Sequence, residues 1–345
     1  MKPWMFMILA LVLVSPIAHA DEVMTFEGQP PPRPSGIFGT AWTIFADGDI
    51  DEDVAERFRD FLKRNKIPRG SSIVLNSPGG DILASMEFGR LIREHGLTAY
   101  IGTKDTLRIM NPGFCLSACA LAYLGGKFRF IMADSVYGVH RFYRTDDTAQ
   151  SDDEAQILSA AILAYIRDMG SDPALFSEMT KAGSDDMNIL KGEKLLALKV
   201  VNNGIQETKW SIESIPEGLY LRGQQETIRG MEKIIFGCNK GTIHMMGIFT
   251  GSNETLGARA ASLTIDREQV RLEPPQVSAP QLLNGMENVT ITLDEPVLAK
   301  VGRAKSLGII LQFSYDAPTF VGIRSLDFSG GAPLLPGFVK NCQGR

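Results

Sequence analysis

Apolar and polar positions recur in two regimes along this chain. Thr43-Ile44-Phe45 predicts a short strand and Asp47-Gly48-Asp49 a turn. Val54, Phe58, Phe61 and Leu62 then recur at helical spacing through Asn65. Ser72-Ile73-Val74-Leu75-Asn76 predicts a buried strand. Ser77-Pro78-Gly79-Gly80 follows it as a turn, and Ile82, Met86, Phe88 and Ile92 mark the next helix. Residues 97–101 predict another strand. Strand, turn, helix and strand in repetition predict an α/β domain with mainly parallel pairing. Further helices are predicted at 154–169, with Ile157, Leu158, Ile162, Leu163 and Ile166 on one side, and at 191–200.

After Pro216 the second regime begins. Ile234-Ile235-Phe236, Thr242-Ile243, Val289-Thr290-Ile291-Thr292-Leu293 and Ile309-Ile310-Leu311-Gln312-Phe313 read as strands punctuated by Gly, Pro and Asn. No strong amphipathic helix stands among them. Residues 219–345 are therefore expected to form a separate, smaller β-rich, sandwich-like domain behind an α/β domain at 41–215.

The first twenty residues have the three parts of a secretory signal peptide: Met1-Lys2-Pro3, the apolar run from Trp4 to Val14, and Ala18-His19-Ala20. The run is too short to span a bilayer comfortably. Cleavage is expected after Ala20, with a periplasmic or secreted product. Pro30, Pro31, Pro32 and Pro34 suggest that 21–40 is an extended, poorly packed leader. The net charge of -5 and the lack of a basic block argue against a nucleic-acid partner. Cys115, Cys119, Cys238 and Cys342 make an even set, which fits an oxidising compartment. Connectivity is not readable from spacing, but Cys238 and Cys342 frame the β-rich domain and are expected to close it.

Histidine is scarce, so each one is informative. His95 precedes Gly96 at a helix end, where a dipole partner is the simplest role. His244 sits beside Met245 and Met246 in the β-rich region. His140 ends the apolar run Val136-Tyr137-Gly138-Val139. Upstream lies Phe114-Cys115-Leu116-Ser117-Ala118-Cys119-Ala120-Leu121-Ala122-Tyr123-Leu124-Gly125-Gly126, a loop turning into a buried helix. Ser117 at that helix start reads either as an N-cap or as a hydroxyl exposed where N–H groups can hold a negative oxygen.

Taken together, strand-SPGG-helix, a serine at a helix start followed by Gly-Gly, and a strand ending in His resemble the proteolytic subunit of the Clp protease and its crotonase-fold relatives. The resemblance covers residues 41–205, and "CLSACALAYLGG…YGVHR" looks like exported bacterial relatives of that subunit. It implies a spiral of strand–strand–helix units, with Ser117 as nucleophile and His140 as general base. The Gly80 and Ala118 N–H groups correspond to the oxyanion donors. Asp186, seven residues before Glu193, matches the third triad member, with Asp185 as rival and helix capping as the other role for either. The three side chains are expected to converge, with the Ser–His contact within about 4 Å.

Two departures stand out. Ala118 replaces the family's usual Met, which leaves a backbone donor intact. Cys115 and Cys119 are foreign to the cytosolic enzyme and would stiffen the nucleophile loop if bridged. The resemblance implies serine peptidase activity on peptides or unfolded segments, with no cofactor and no metal. An exported chain has no ATP supply, so no ATPase partner is expected; a homo-oligomer is left open. Three other readings compete: acyl-CoA chemistry, which export disfavours; a Ser–Lys pair using Lys104 or Lys127; and an inactive scaffold whose β-rich domain binds a partner.

Overall fold

The computed structural model describes residues 22–31, 41–104, 110–142, 152–216, 218–250 and 260–344. The expected signal peptide, its expected cleavage point and residues 32–40 of the leader lie outside them. The chain divides into two compact units, with the boundary between Val201 and Asn202.

The first unit is built on β1 (Thr25–Gln29), β2 (Thr43–Asp47), β3 (Ser72–Asn76), β4 (Thr98–Ile101) and β8 (Phe128–Ile131), in the order β1-β2-β3-β4-β8. β2, β3, β4 and β8 run parallel, and β1 lies antiparallel on the edge. Helix α1 (Val54–Arg64) joins β2 to β3, and α2 (Ile82–Glu94) joins β3 to β4. Between β4 and β8 lie the short β5 (Thr103–Lys104), β6 (Met110–Asn111) and β7 (Phe114–Leu116), then α3 (Ala118–Leu124). β7 pairs parallel with β9 (Val136–Val139), which pairs antiparallel with β10 (Asn188–Leu190). Helices α4 (Asp152–Asp168), α5 (Ala174–Met179) and α6 (Glu193–Ala197) complete the unit. The central strands are buried on both faces, as parallel strands covered by helices require.

Three expectations need correction. The leader is partly structured: Met24 is buried, and Phe26 packs on the rings of Phe58, Phe61 and Phe88 at 5.0, 5.8 and 5.8 Å. Met24 and Phe26 alternate with Thr25 and Glu27, a short strand signal overshadowed by the prolines that follow. On α4, Ile162, Tyr165 and Ile166 are buried while Ile157 is 71% exposed; five residues of helix turn Ile157 well away from Ile162. α6 is shorter than 191–200, because Lys199 takes φ 51° and ends it.

The second unit starts earlier than residue 219. β11 (Lys209–Ile215) pairs with β12 (Gly218–Thr227) and belongs to it. The larger sheet has the order β11-β12-β13-β14-β18-β17, adding β13 (Gly230–Asn239), β14 (Thr242–Phe249), β17 (Gln281–Leu283) and β18 (Met286–Thr292). The smaller has the order β16-β15-β19-β20, formed by β15 (Ala260–Ile265), β16 (Glu268–Leu272), β19 (Ser306–Gln312) and β20 (Val321–Asp327). Lys240-Gly241 and Asn284-Gly285 take positive φ at both turn positions, as two-residue hairpins require. Phe236, Met245 and Ile291 of the larger sheet share one core with Leu263, Ile309 and Ile323 of the smaller. Two short helices, α7 (Glu295–Val301) and α8 (Leu335–Cys342), were not foreseen; each buries only two residues, too few to print a periodic stripe. A disulfide joins Cys238 on β13 to Cys342 at the end of α8, with Cα atoms 5.6 Å apart.

Candidate active site

The parallel strand β3 delivers Ser77-Pro78-Gly79-Gly80 at its carboxyl end. Asn76 Oδ1 accepts from Phe114 N at 3.0 Å, Ser77 N donates to Phe114 O at 2.9 Å, and Leu116 N donates to Ser77 O at 3.0 Å. These bonds hold β7 beside the turn. Gly79 and Gly80 take φ of 122° and 131°, which side chains rarely adopt. A Cβ on Gly79 would stand 2.7 Å from Ser117 Cβ, and one on Gly80 would stand 2.0 Å from Ile50 O. The turn is therefore pressed through Gly79 against the β7–α3 junction and through Gly80 against the backbone of Ile50. Asp81 then caps α2 by accepting from Ala84 N at 2.7 Å.

Ser117 occupies that junction with φ 54° and ψ -125°. A non-glycine residue held at such angles is strained by about 1–3 kcal/mol, and such strain clusters at functional sites. Its N–H donates to Gly138 O at 3.0 Å, and its carbonyl accepts from Ala120 N at 3.0 Å. Its side chain makes no capping hydrogen bond to α3. The hydroxyl instead lies 2.6 Å from His140 Nε2. The N-cap role for Ser117 is thereby set aside.

His140 follows β9, whose pairing with β7 brings it to Ser117. It is buried, and burial lowers its pKa below the ordinary histidine value, because desolvation disfavours the imidazolium. A neutral imidazole at neutral pH has a lone pair to accept a hydroxyl proton.

The two amides expected to receive the oxyanion are unengaged. Among the described residues, Gly79 N donates to Ser77 Oγ at 3.2 Å, whereas neither Gly80 N nor Ala118 N donates a hydrogen bond. Ala118 is the first residue of α3, so its N–H has no intrahelical acceptor. Gly80 is exposed.

Asp186 is placed differently. It is exposed, and its Oδ1 accepts from its neighbour Met187 N at 2.8 Å. Among the described residues it makes no hydrogen bond to His140. Asp185 Oδ1 accepts from Ser184 Oγ at 3.2 Å. Both lie just before β10, whose pairing of Asn188 with Val139 runs the segment back alongside His140. The structure thus brings Ser117 and His140 together, and among the described residues Asp186 hydrogen-bonds to neither.

The remaining candidates are accounted for by other contacts. Lys104 pairs with Glu27, and Lys127 Nζ lies over the Phe128 ring at 5.7 Å. His95 Nε2 meets Ile67 O at 2.9 Å, and His244 Nδ1 meets Thr292 Oγ1 at 3.2 Å. Cys115 and Cys119 are bridged across Ser117, with Cα atoms 5.2 Å apart.

Two contributors escaped sequence reasoning. Gly79 was read only as part of a turn, yet it is the residue that backs onto Ser117. Arg129 is 2% exposed and anchors the far end of α3. It donates to Leu124 O, Gly126 O, Met169 O, Lys199 O and Val200 O at 2.7–3.1 Å. Arg93 shares three of these carbonyls. Burial brings the Arg129 pKa down to about 10, so it is still charged at neutral pH. The carbonyl ends of α3 and α4 carry the partial negative charge that offsets it.

No family model matches the chain, and no curated protein matches it. Among solved structures, it is similar to a serine-to-alanine mutant of the 1510-N membrane-bound stomatin-specific protease. Identity is 17%, 46% of this chain and 75% of that one are covered, and the TM-score is 0.32. A lysine-to-alanine mutant of the same protease, in complex with a substrate peptide, aligns at 17% identity over 46% and 71%, with a TM-score of 0.33. Likeness at this level carries no argument about activity, which rests on the geometry above.

Proposed function

We propose that this chain is an exported serine peptidase built on a Clp-type spiral. Ser117 Oγ attacks the substrate carbonyl carbon while its proton passes to His140 Nε2. The oxyanion so formed is received by the Gly80 and Ala118 N–H groups, each donor being worth roughly 3–4 kcal/mol in comparable sites. His140 then protonates the leaving amine, and water repeats the sequence on the acyl-enzyme. The observation that carries the reading is the 2.6 Å contact between Ser117 Oγ and His140 Nε2, made by a serine that declines to cap its own helix.

The working unit is Ser117 with His140, and Asp186 lies on the segment that leads into β10, which pairs with the strand before His140. Export would leave the enzyme without an ATP-driven unfoldase, so the substrates are peptides or protein segments already unfolded. The test is labelling of the purified protein with a fluorophosphonate, followed by peptide mapping, and hydrolysis of an unfolded casein substrate. Modification at Ser117 that Ser117→Ala abolishes, with casein cleavage lost in parallel, supports the reading. A protein inert to both reagents overturns it and leaves the scaffold role in its place.

A further inference from the structure

We propose that the Cys115–Cys119 disulfide is the positioning element of the nucleophile, so that Ser117 is competent only in chains that have closed this bond. The inference rests on the reading of Ser117 as nucleophile and adds a condition to it.

The bond spans a strand-to-helix junction. Cys115 is the middle residue of β7, fixed on one side by Ser77 and on the other by its pairing with Tyr137. Cys119 is the second residue of α3. Ser117 is the central residue of the closed five-residue ring and the one that carries the positive φ. The kink at Ser117 and the bridge therefore depend on each other. The Cα atoms of Cys115 and Cys119 lie 5.2 Å apart, inside the range a disulfide tolerates. Relaxing Ser117 to negative φ would redirect α3 relative to β7 and change that separation. The bond forbids this relaxation.

The non-covalent restraints on the junction are hydrogen bonds and packing: Ser117 N donates to Gly138 O, Ser117 O accepts from Ala120 N, Leu116 N donates to Ser77 O, and Gly79 packs behind the side chain. The hydroxyl does not anchor the helix. Without the bridge, a chain free to rotate at Ser117 would relieve its strain and withdraw the hydroxyl from His140.

Both cysteines are 0% exposed. A soluble thiol reaches such sulfurs only when the fold opens. The state of the bond is therefore decided while the chain folds, by the redox character of the compartment in which it does so. A chain that folds reduced would carry Ser117 and His140 but hold them loosely.

The full chain without its first twenty residues is compared with Cys115→Ala/Cys119→Ala and, as a control, Cys238→Ala/Cys342→Ala. The readouts are the rate of fluorophosphonate modification at Ser117 across pH 5–9 and the melting temperature. The expected result is modification at least tenfold slower in the Cys115/Cys119 variant, with its pH midpoint moved from the parent's. The control should melt lower yet label at the parental rate. A structural role alone would reduce the labelled fraction without moving the midpoint. Should the Cys115/Cys119 variant fail to fold, the control protein is refolded with and without dithiothreitol, which reduces the remaining bond to two thiols as it cyclises to its own disulfide. Slow labelling that recovers on reoxidation upholds the proposal. Labelling within twofold of the parent, at an unchanged midpoint, overturns it while the nucleophile reading stands. An unlabelled parent overturns the nucleophile reading, and this inference with it.

Discussion

Ser117 Oγ and His140 Nε2 are 2.6 Å apart although 23 residues separate them in the chain. The contact is made because β7 and β9, which end one residue before each of them, lie parallel and in register from Phe114 opposite Val136 to Leu116 opposite Gly138. Residues that act as a unit should be non-additive. Ser117→Ala and His140→Ala should each remove nearly all hydrolysis of a casein or activated-ester substrate, and the double variant should be little worse than either. Losses that multiply would mean that the two side chains act separately.

The pH dependence follows from His140. Burial lowers its folded pKa, so the neutral form that accepts a proton persists below the ordinary histidine value of about 6.5. Ser117 labelling should rise with pH through a midpoint below 6.5 and stay high through neutrality. The effect on stability has the same sign. The unfolded chain takes up the histidine proton at a higher pH than the folded chain, so stability is lost as pH falls below the unfolded value. His140→Gln should flatten that part of the stability profile. A labelling midpoint above 6.5 would instead indicate a carboxylate held against the imidazole.

The legible parts of the fold were those written locally. β3 is delimited as its five residues suggest, because a β-branched run ends at Asn76-Ser77-Pro78 and nothing else competes for it. The Ser117 and His140 elements were legible as a motif. Other features depend on contacts distant in sequence. Phe26 is a strand residue because three rings from α1 and α2 receive it, and β11 belongs to the second unit because β12 pairs with it. Arg129 lies in a Lys-Phe-Arg-Phe stretch that carries no local sign of burial; the convergence of two helix ends and the 199–200 turn explains it. The spacing of Asp186 from Glu193 gave its place in the chain but not the direction of its carboxylate.

Asp186→Asn tests that direction. Its carboxylate is exposed and accepts from the Met187 N–H, and among the described residues it makes no hydrogen bond to His140. The variant should lose less than about tenfold in turnover, far short of the roughly 10⁴-fold typical where a triad aspartate holds the imidazole. Steady-state kinetics on casein peptides measures this. A loss beyond a thousandfold would show that Asp186 closes on His140 when substrate binds.

Arg129→Met should destabilise the first unit without touching the chemistry directly. The change removes a cation and five donated hydrogen bonds, those to the carbonyls of Leu124, Gly126, Met169, Lys199 and Val200, of which Lys199 O keeps the Ser171 hydroxyl and the first three keep Arg93. Breaking a buried polar network of this kind costs about 3–5 kcal/mol. A clear fall in melting temperature is expected, with Ser117 labelling per folded molecule close to normal. An unchanged melting temperature would mean that Arg93 alone satisfies these helix ends.

Gly79→Ala and Gly80→Ala should separate two roles within one turn. Both positions have φ above 120°, so each alanine carries a backbone penalty of about 1–3 kcal/mol. The steric consequences differ. At Gly80 the new methyl meets Ile50 O at 2.0 Å, and Ile50 is bonded on both sides, through its N–H to Gly79 O and through its carbonyl to Asp81 N. That variant should lose stability first. At Gly79 the methyl meets Ser117 Cβ at 2.7 Å, Leu116 O at 3.0 Å and Ala118 N at 3.1 Å. The group best able to yield is the Ser117 side chain, and turning it away breaks the contact with His140. Gly79→Ala should therefore lower Ser117 labelling by at least a factor of ten in protein that still melts cooperatively, and the loss should exceed what its melting temperature predicts. If Gly79→Ala loses stability and labelling in the same proportion as Gly80→Ala, Gly79 has no separate role in holding the nucleophile.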